Sequence, residues 1–440
     1  MNPTGLLGIL LLLALAWLLS EHKSRLPIRL ILGGLGLQFA LAALLIKVPV
    51  VVTGFNFLAT LVDEVIGSTD AGIAFVWGWL SDTEGGPKFV FAIHAMSVVI
   101  FFASFMAVLF HLGIMQRVIA ALAWLLRTTL GVTGSEALAM AANVFVGQTE
   151  APLCVKPYIE KMTRSQIMTL MVGGFATIAG SVLAAYVIML GGDDGVAGGP
   201  DDESRKIFIR HLLTASVMSA PAAFVMAKVV VPETEEPVDE GLRQDRIESP
   251  HVNALDAAAA GASEGMRLAL NIVAMLIAFV SLVALINLPL AWLGHQLDSN
   301  PNDKAGWQTL SLETIFGYAF TPLAWAMGIA WEDCRTFATL LGEKICVTEF
   351  IAYRNLAEIS QPAPAADGTI PEPGMSDRSI AIAAYALCGF ANFASIAIQI
   401  GGLSTIAPAQ RKAFVTLGVK AMLAGAFASW MTASIAGIFL

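Results

Sequence analysis

Two glutamates stand in apolar sequence, where a carboxylate is costly: Glu150 in VFVGQTEAP and Glu349 in ICVTEFIAY. A charged side chain at the centre of a bilayer costs on the order of 3 kcal/mol on insertion scales, so such residues mark ligand and ion pathways. A structural ion pair is the plain alternative for one such residue and is harder to sustain for two at matched positions. Gln148 and Thr149 precede Glu150, which puts an amide, a hydroxyl and a carboxylate on one turn. That set offers donors and acceptors together and suits a ligand with mixed edges, such as a nucleobase. The same groups could instead cap the ends of the helices around them.

Two further segments carry related chemistry. GFATIAG (174–180) and GFANFAS (389–395) each place small and polar residues in the middle of an apolar run. Glycine and alanine allow a helix to unwind and another element to come close. The carbonyls freed by unwinding can bind a cation, and Thr177, Asn392 and Ser395 add side-chain oxygens. Ordinary small-residue helix packing would read the same way. Phe390 and Phe393 could stack on a planar ligand or fill the core. Asn143, one turn before the first glutamate's turn, could form an all-oxygen cage for a hard monovalent cation. Its partners would be the Val146 carbonyl, Thr177 and the Ile178 carbonyl. Lys344 lies beside Glu343, and a local ion pair is expected there. His94 and His111 read as packing or interfacial residues. The four cysteines show no metal-ligand spacing and read as free packed thiols.

The elements that must position these residues lie in a membrane. The chain has 440 residues, of which 57% are hydrophobic and 13% charged, and its mean hydropathy is +0.73. Soluble domains carry about 25% charged residues. Several runs exceed the ~20 apolar residues that cross a bilayer, and a barrel would show short alternating segments instead. The fold class is therefore an all-α polytopic membrane protein. The net charge of −9 gives no reason to expect nucleic acid as a partner, and no P-loop, HExxH or other strong catalytic motif is present. Candidate spans lie at about 3–19, 29–46, 89–113, 166–190, 206–230, 265–290, 380–403 and 413–438. The first reads as a helix and not a cleaved signal.

Lys23, Arg25 and Arg29 place the first loop in the cytoplasm, so the N-terminus, and by count the C-terminus, lie outside. The stretch 47–88 is then external and partly amphipathic, which suits an interfacial helix. The acidic, glycine-rich loop 191–204 fits an external turn, whereas the mostly acidic loop 231–256 fits its expected inside position poorly. Region 133–163 breaks at VGQTEAP into two limbs of about 12 residues, each near half the length a span needs. Region 334–358 behaves alike around CVTEF. Both read as re-entrant helical hairpins with polar tips at mid-depth, where irregular backbone must be buried in protein or line a cavity.

The tripeptide LAW precedes each hairpin, at 122–124 and 323–325; Trp124 to Glu150 is 26 positions and Trp325 to Glu349 is 24. Three spans separate the hairpins, so the copies are inverted, as alternating access around a midplane site requires. The second copy adds a Pro-rich insertion at 361–374. The expected organisation is scaffold helices and an external interfacial segment at 1–115 and a first repeat at 116–204. Connecting helices follow at 205–310, then the inverted second repeat at 311–405 and a final helix at 406–440.

At these residues the chain resembles the concentrative nucleoside transporter family. The resemblance rests on GQTEAP (147–152), GFATIAGSVLAAYV (174–187), EFIAY (349–353) and CGFANFASIAIQIGGL (388–403), and runs from about residue 85 to the C-terminus. It implies about eight transmembrane helices, two re-entrant hairpins, interfacial helices and a homotrimer in the lipid bilayer of a bacterial inner membrane. It implies a nucleobase site at Gln148, Thr149, Glu150 and Val182, with a ribose site at Glu349, Asn392 and Ser395 and with Phe390 near the base. It implies a sodium site at Asn143, Val146, Thr177 and Ile178. Ala394 and Thr348 depart from residues that many members carry, which touches substrate selectivity. The expected activity is sodium-coupled nucleoside symport by an elevator motion, with no enzymatic step and no cofactor beyond the coupling ion. Proton coupling on the same fold, a membrane-embedded enzyme using the paired glutamates, and a passive channel are the rival readings.

Overall fold

A computed structural model of the protein describes residues 4–81, 90–190, 202–237, 251–297, 310–361 and 373–440. The loops at 191–204 and 361–374 fall mainly outside the described residues, as does half of the loop at 231–256. Within a bilayer the backbone must satisfy its own hydrogen bonds, and the described residues are helical, with no strand among them. The chain opens with α1 (Thr4–Leu18) and α2 (Ile28–Ala42), which continues through a π-turn at Ala43–Lys47. There follow α3 (Pro49–Gly67), α4 (Thr69–Trp77), α5 (His94–His111) and α6 (Ile114–Leu130). The first hairpin comprises α7 (Gly134–Asn143), a 3-10 turn at Ala151–Val155 and α8 (Lys156–Ile159). Next come α9 (Arg164–Ala176), α10 (Gly180–Leu190), α11 (Asp202–Val230), α12 (Ala254–Leu297) and α13 (Leu312–Ala326). The second hairpin is α14 (Cys334–Cys346) and α15 (Glu349–Ser360), and the chain ends with α16 (Asp377–Leu387), α17 (Phe393–Ile406) and α18 (Arg411–Phe439).

Seven helical stretches among the described residues are long and apolar enough to cross a bilayer. Six match expected spans. The seventh, Pro49–Ser81, covers the segment expected to lie along the surface, and by length and composition it could itself cross. α1 is a shorter apolar helix, and the run 380–403 is divided between α16 and α17. α12 has 44 residues, or about 66 Å at 1.5 Å per residue. That is roughly twice the ~30 Å hydrocarbon thickness, so the helix extends well beyond one straight crossing.

The core sits around α18, which packs against α9, α11, α16 and α17. The α9–α10 stretch is 94% buried across its most apolar window, whereas that of α12 is 6% buried. α12 and α5 therefore form a peripheral pair, with Leu270, Ile277, Leu285 and Trp292 of α12 exposed. Such a surface suits contact with lipid. α6 buries Met115, Ile119, Ala123, Leu126 and Leu130 on one face, and its Trp124 is exposed, as is Trp325 on α13. Exposed tryptophan on an amphipathic helix suits the membrane–water interface.

The repeat is visible in the packing. α6 leads into the first hairpin as α13 leads into the second. Each hairpin is followed by a broken helix, α9–α10 or α16–α17, and then by a long helix, α11 or α18. The foot of each hairpin is a contact between caps. Thr133 and Glu136 form a capping box on α7, Thr163 and Gln166 form another on α9, and Gln166 Nε2 donates to Thr133 Oγ1 at 3.2 Å. In the second repeat Ser376, the cap of α16, donates its hydroxyl to Asp333 Oδ2 at 2.7 Å at the start of α14. The first foot also holds buried charge: Lys228 of α11 lies 2.6 Å from Glu136 and donates to Ser165 at 3.1 Å.

The two helix breaks meet at the centre. Gly389 has φ +142, and a Cβ there would lie 2.8 Å from the Phe175 carbonyl oxygen and 2.7 Å from Ser429 Oγ. Only glycine lets the second break pack this closely on the first. Gly147 has φ +97 and would press a Cβ to 2.9 Å from that of Ala179, so the first tip sits on the first break.

Candidate functional site

The second tip is short. Only Val347 and Thr348 separate α14 from α15, so Glu349 becomes the first residue of α15 and the helix N-terminus favours its negative charge. It is 3% exposed. Tyr186 of α10 donates its hydroxyl to Glu349 Oε1 at 2.8 Å, and Asn392 Nδ2 donates to Oε2 at 2.6 Å. Asn392 caps α17, its Oδ1 accepting from the Ser395 N–H at 2.7 Å. The three predicted residues of this half thus come together, with Phe390 buried in the break two residues before Asn392. Phe393, the other aromatic of the motif, is 48% exposed and turned away from the buried polar face.

Lys344 departs from expectation. It is fully buried and donates to the Ala386 carbonyl at 2.9 Å, not to Glu343. Adjacent residues on a helix point about 100° apart, so Glu343 and Lys344 occupy different faces of α14. Glu343 lies instead in a cleft between the limbs with Arg335, Asn355 and Glu358.

The first tip is longer, seven residues at 144–150. Gln148 is buried, and it meets Gln399 of α17 over Gly174 of α9. Gln399 Nε2 donates to the Met171 carbonyl at 3.0 Å, while Gln148 Oε1 and Gln399 Oε1 have no hydrogen-bond partner. Thr149 packs against Gly402. Asn392, Ser395, Gln399 and Gly402 share one face of α17 at helical spacing. That face runs from Glu349 to the first tip and joins the two predicted half-sites. Val182 is buried four residues before Tyr186 on the same face of α10.

Glu150 stands apart. It is exposed toward a cavity of about 520 Å³ between the first tip and the α5–α12 pair. Met106 and Phe110 of α5, Glu264 of α12 and Ser181 also line it. The volume lies within the range of small-molecule sites, about 300–1,000 Å³.

At the Asn143 corner, Thr177 Oγ1 donates to the Asn143 carbonyl at 2.9 Å and to the Gly173 carbonyl at 2.9 Å. Asn143 is fully buried, and its Oδ1 has no hydrogen-bond partner. Ile178 is buried inside the break, and Val146 lies on the first tip. The oxygens these residues bring to the corner are amide, hydroxyl and carbonyl. Such neutral oxygens suit a hard monovalent cation more than a transition metal.

Tyr186 and Gln399 were not singled out from sequence. Tyr186 lies inside a recognised motif, and a phenol in an apolar span needs a hydrogen-bond partner. Gln399 gave a similar signal, an amide in the middle of an apolar helix.

Comparison with known proteins covers the segments that carry these residues. The family model described as Na+ dependent nucleoside transporter C-terminus matches residues 211–437, and its N-terminal counterpart matches 7–80. A model described as nucleoside recognition matches 92–193. The N-terminal match extends the likeness into the first spans, where no motif was legible. An uncharacterized transporter of Haemophilus influenzae is 41% identical over 99% of this chain and 97% of its own. Sodium/nucleoside cotransporter 1 of Mus musculus is 39% identical over 98% of this chain, which spans 63% of that longer protein. These relatives are transporters, not enzymes. The solved structure of CNTnw in an inward-facing substrate-bound state superposes with a TM-score of 0.86 at 38% identity, covering 99% of this chain and 97% of that one.

Proposed function

Because the chain belongs to the sodium-dependent nucleoside transporter family, we propose that it is a secondary active symporter that imports nucleosides across the bacterial inner membrane on a sodium gradient. The observation that carries this reading is the buried face of α17. It joins a carboxylate–amide pair, Glu349 and Asn392, to an amide–hydroxyl tip, Gln148 and Thr149. A sugar with vicinal hydroxyls and a base with mixed edges match those two ends. Glu349, Asn392 and Ser395 would hold the ribose. A carboxylate has about four lone-pair sites, so Glu349 can accept from sugar hydroxyls while keeping its two protein donors. Gln148, Thr149, Glu150 and Val182 would hold the base, with Phe390 against it; for Glu150, which faces the cavity on the α5–α12 side, this requires the first tip to turn inward on binding.

Sodium would bind at Asn143, Val146, Thr177 and Ile178, where the unpartnered Asn143 Oδ1 is the main support. Binding there would order the first tip and favour the state that takes nucleoside. The hairpins and broken helices at 116–204 and 311–405 would form the transport part. The scaffold would then be the remaining helices, assembled as a homotrimer in the lipid bilayer with both termini outside the cytoplasm. Alternating access would follow an elevator motion of the transport part past the scaffold. The exposed apolar face of α12 supports a surface covered by lipid and by other copies.

The test is uptake of labelled uridine and adenosine into proteoliposomes under separately imposed sodium and proton gradients. Sodium-driven uptake that is abolished in Glu349→Ala, with assembly intact, is expected. Uptake driven by protons alone and indifferent to Asn143→Ala would replace sodium with proton coupling. Undiminished uptake by Glu349→Ala would remove the ribose assignment.

A further inference from the structure

We infer that Tyr186 is a positioning residue, tying the helix break of the first repeat to the carboxylate of the second. The inference rests on the transport reading above. Tyr186 is fully buried on α10, two turns beyond the Thr177–Ala179 break. Its hydroxyl holds Glu349 Oε1 at 2.8 Å, and Asn392 holds the other oxygen. The ring itself is fixed. It stacks on Tyr353 with centroids 4.3 Å apart and 27° between planes, and it meets Phe350 at 4.9 Å and 65°. Tyr353 is anchored in turn by donating its hydroxyl to the Ala384 carbonyl at 2.8 Å.

The other end of α10 belongs to the first tip. Gly180 N–H, the first residue of α10, donates to the Phe145 carbonyl at 2.8 Å, and Thr177 just before it donates to the Asn143 carbonyl. One helix of 11 residues thus carries a bond to the first tip at its start and a bond to Glu349 in its middle. Gln361 Nε2 donates to the Leu190 carbonyl at 3.2 Å and fastens the far end of α10 to the end of α15. α10 therefore cannot shift without pulling on Glu349, either through the Tyr186 hydroxyl or through α15 itself. An ion that orders the Asn143–Thr177 corner would fix α10, and α10 would fix which lone pairs of Glu349 remain for the sugar. Coupling of this kind is reciprocal: whatever sodium adds to nucleoside affinity, nucleoside adds to sodium affinity.

The experiment measures binding of labelled uridine to the purified full-length protein, with sodium present and with choline in its place. Tyr186→Phe keeps the stacked ring and removes only the hydroxyl. Losing one hydrogen bond to a charged group weakens binding by about ten- to a hundredfold, and the tightening that sodium produces should fall along with it. Tyr385→Phe loses a buried hydroxyl that faces His211 and not Glu349, and should change neither quantity. Native affinity with the native sodium effect in Tyr186→Phe overturns the inference, as does an equal loss in both variants. Native protein that binds neither uridine nor adenosine overturns the transport reading and this inference with it. Native binding indifferent to sodium overturns both sodium coupling and the link drawn here. Melting temperatures of Tyr186→Phe, Glu349→Gln and the double variant give a second measure that needs no ligand. Non-additive shifts support the pair, and additive shifts overturn it.

Discussion

Glu150 and Glu349 occupy matched places in the two repeats, yet one faces an open cavity and the other is closed in by two donors. The cause lies in tip length. A two-residue tip leaves Glu349 at the start of a helix, aimed at Asn392 across the break. A seven-residue tip folds back on its own break through Gly147, and carries Glu150 past it to the α5–α12 side. The repeats therefore share their feet and breaks, which are packing devices, and differ at the tips, which hold the chemistry. One half presents a preformed polar site, and the other presents a site completed by whatever enters the cavity.

The largest effect should separate the two carboxylates. Glu349→Gln removes the charge from two buried hydrogen bonds, each costing about 1–3 kcal/mol when disrupted. Its uptake efficiency should fall by roughly 100-fold, whereas Glu150→Gln, exposed to the cavity, should lose roughly tenfold. Initial uptake rates in proteoliposomes across a nucleoside concentration series measure both, and equal losses would erase the distinction between tips.

Next in size is the cost of filling the close contacts at the breaks. Both glycines hold a positive φ, but Gly389→Ala would press a Cβ against two carbonyl oxygens, while Gly147→Ala meets only the Ala179 side chain. Losses of about 2 and about 1 kcal/mol in stability are expected. Thermal unfolding of the two variants checks the order; the reverse order would mean that the tip contact, and not the break contact, anchors the repeats.

The smallest effect concerns the feet. Arg164, at the start of α9, makes a bidentate pair with Glu21, and Lys420 adds a third bond at 2.8 Å. The hydrogen bond from Arg164, joined by Lys420, holds the Glu21 carboxyl down at about 2. A depressed carboxylate stabilises the fold above its ordinary value of 4.5 and loses that contribution as pH falls toward 2. Glu21 is partly exposed, so solvent screening keeps the contribution modest. Melting temperatures at pH 7, 4 and 3 should fall less steeply for Glu21→Gln than for the native protein. Parallel curves would show that this network does not distinguish the first foot from the second.

Much of the candidate site was legible because insertion into lipid makes polar residues conspicuous. Glu150, Glu349, Asn392 and Asn143 all stood out for that reason. Less legible was any residue that reads as apolar until its partner is known. Tyr186 looked like one more aromatic in GFATIAGSVLAAYV, and its role depends on Glu349, 163 positions away. Lys344 and Glu343 looked like a pair because they are neighbours in sequence, but helical geometry sends them to different faces.

By itself the sequence determined the helical class, the positions of most spans, the two hairpins and the doubling of the unit. Each follows from local rules: apolar length against bilayer thickness, glycine and proline at the tips, and repeated spacing. Only the tertiary structure decided that the breaks touch through Gly389, that α17 joins the half-sites, and that Glu349 is closed in while Glu150 is open. Those outcomes depend on contacts between segments far apart in the chain. Periodicity and composition carry no information about which buried partner a side chain will meet.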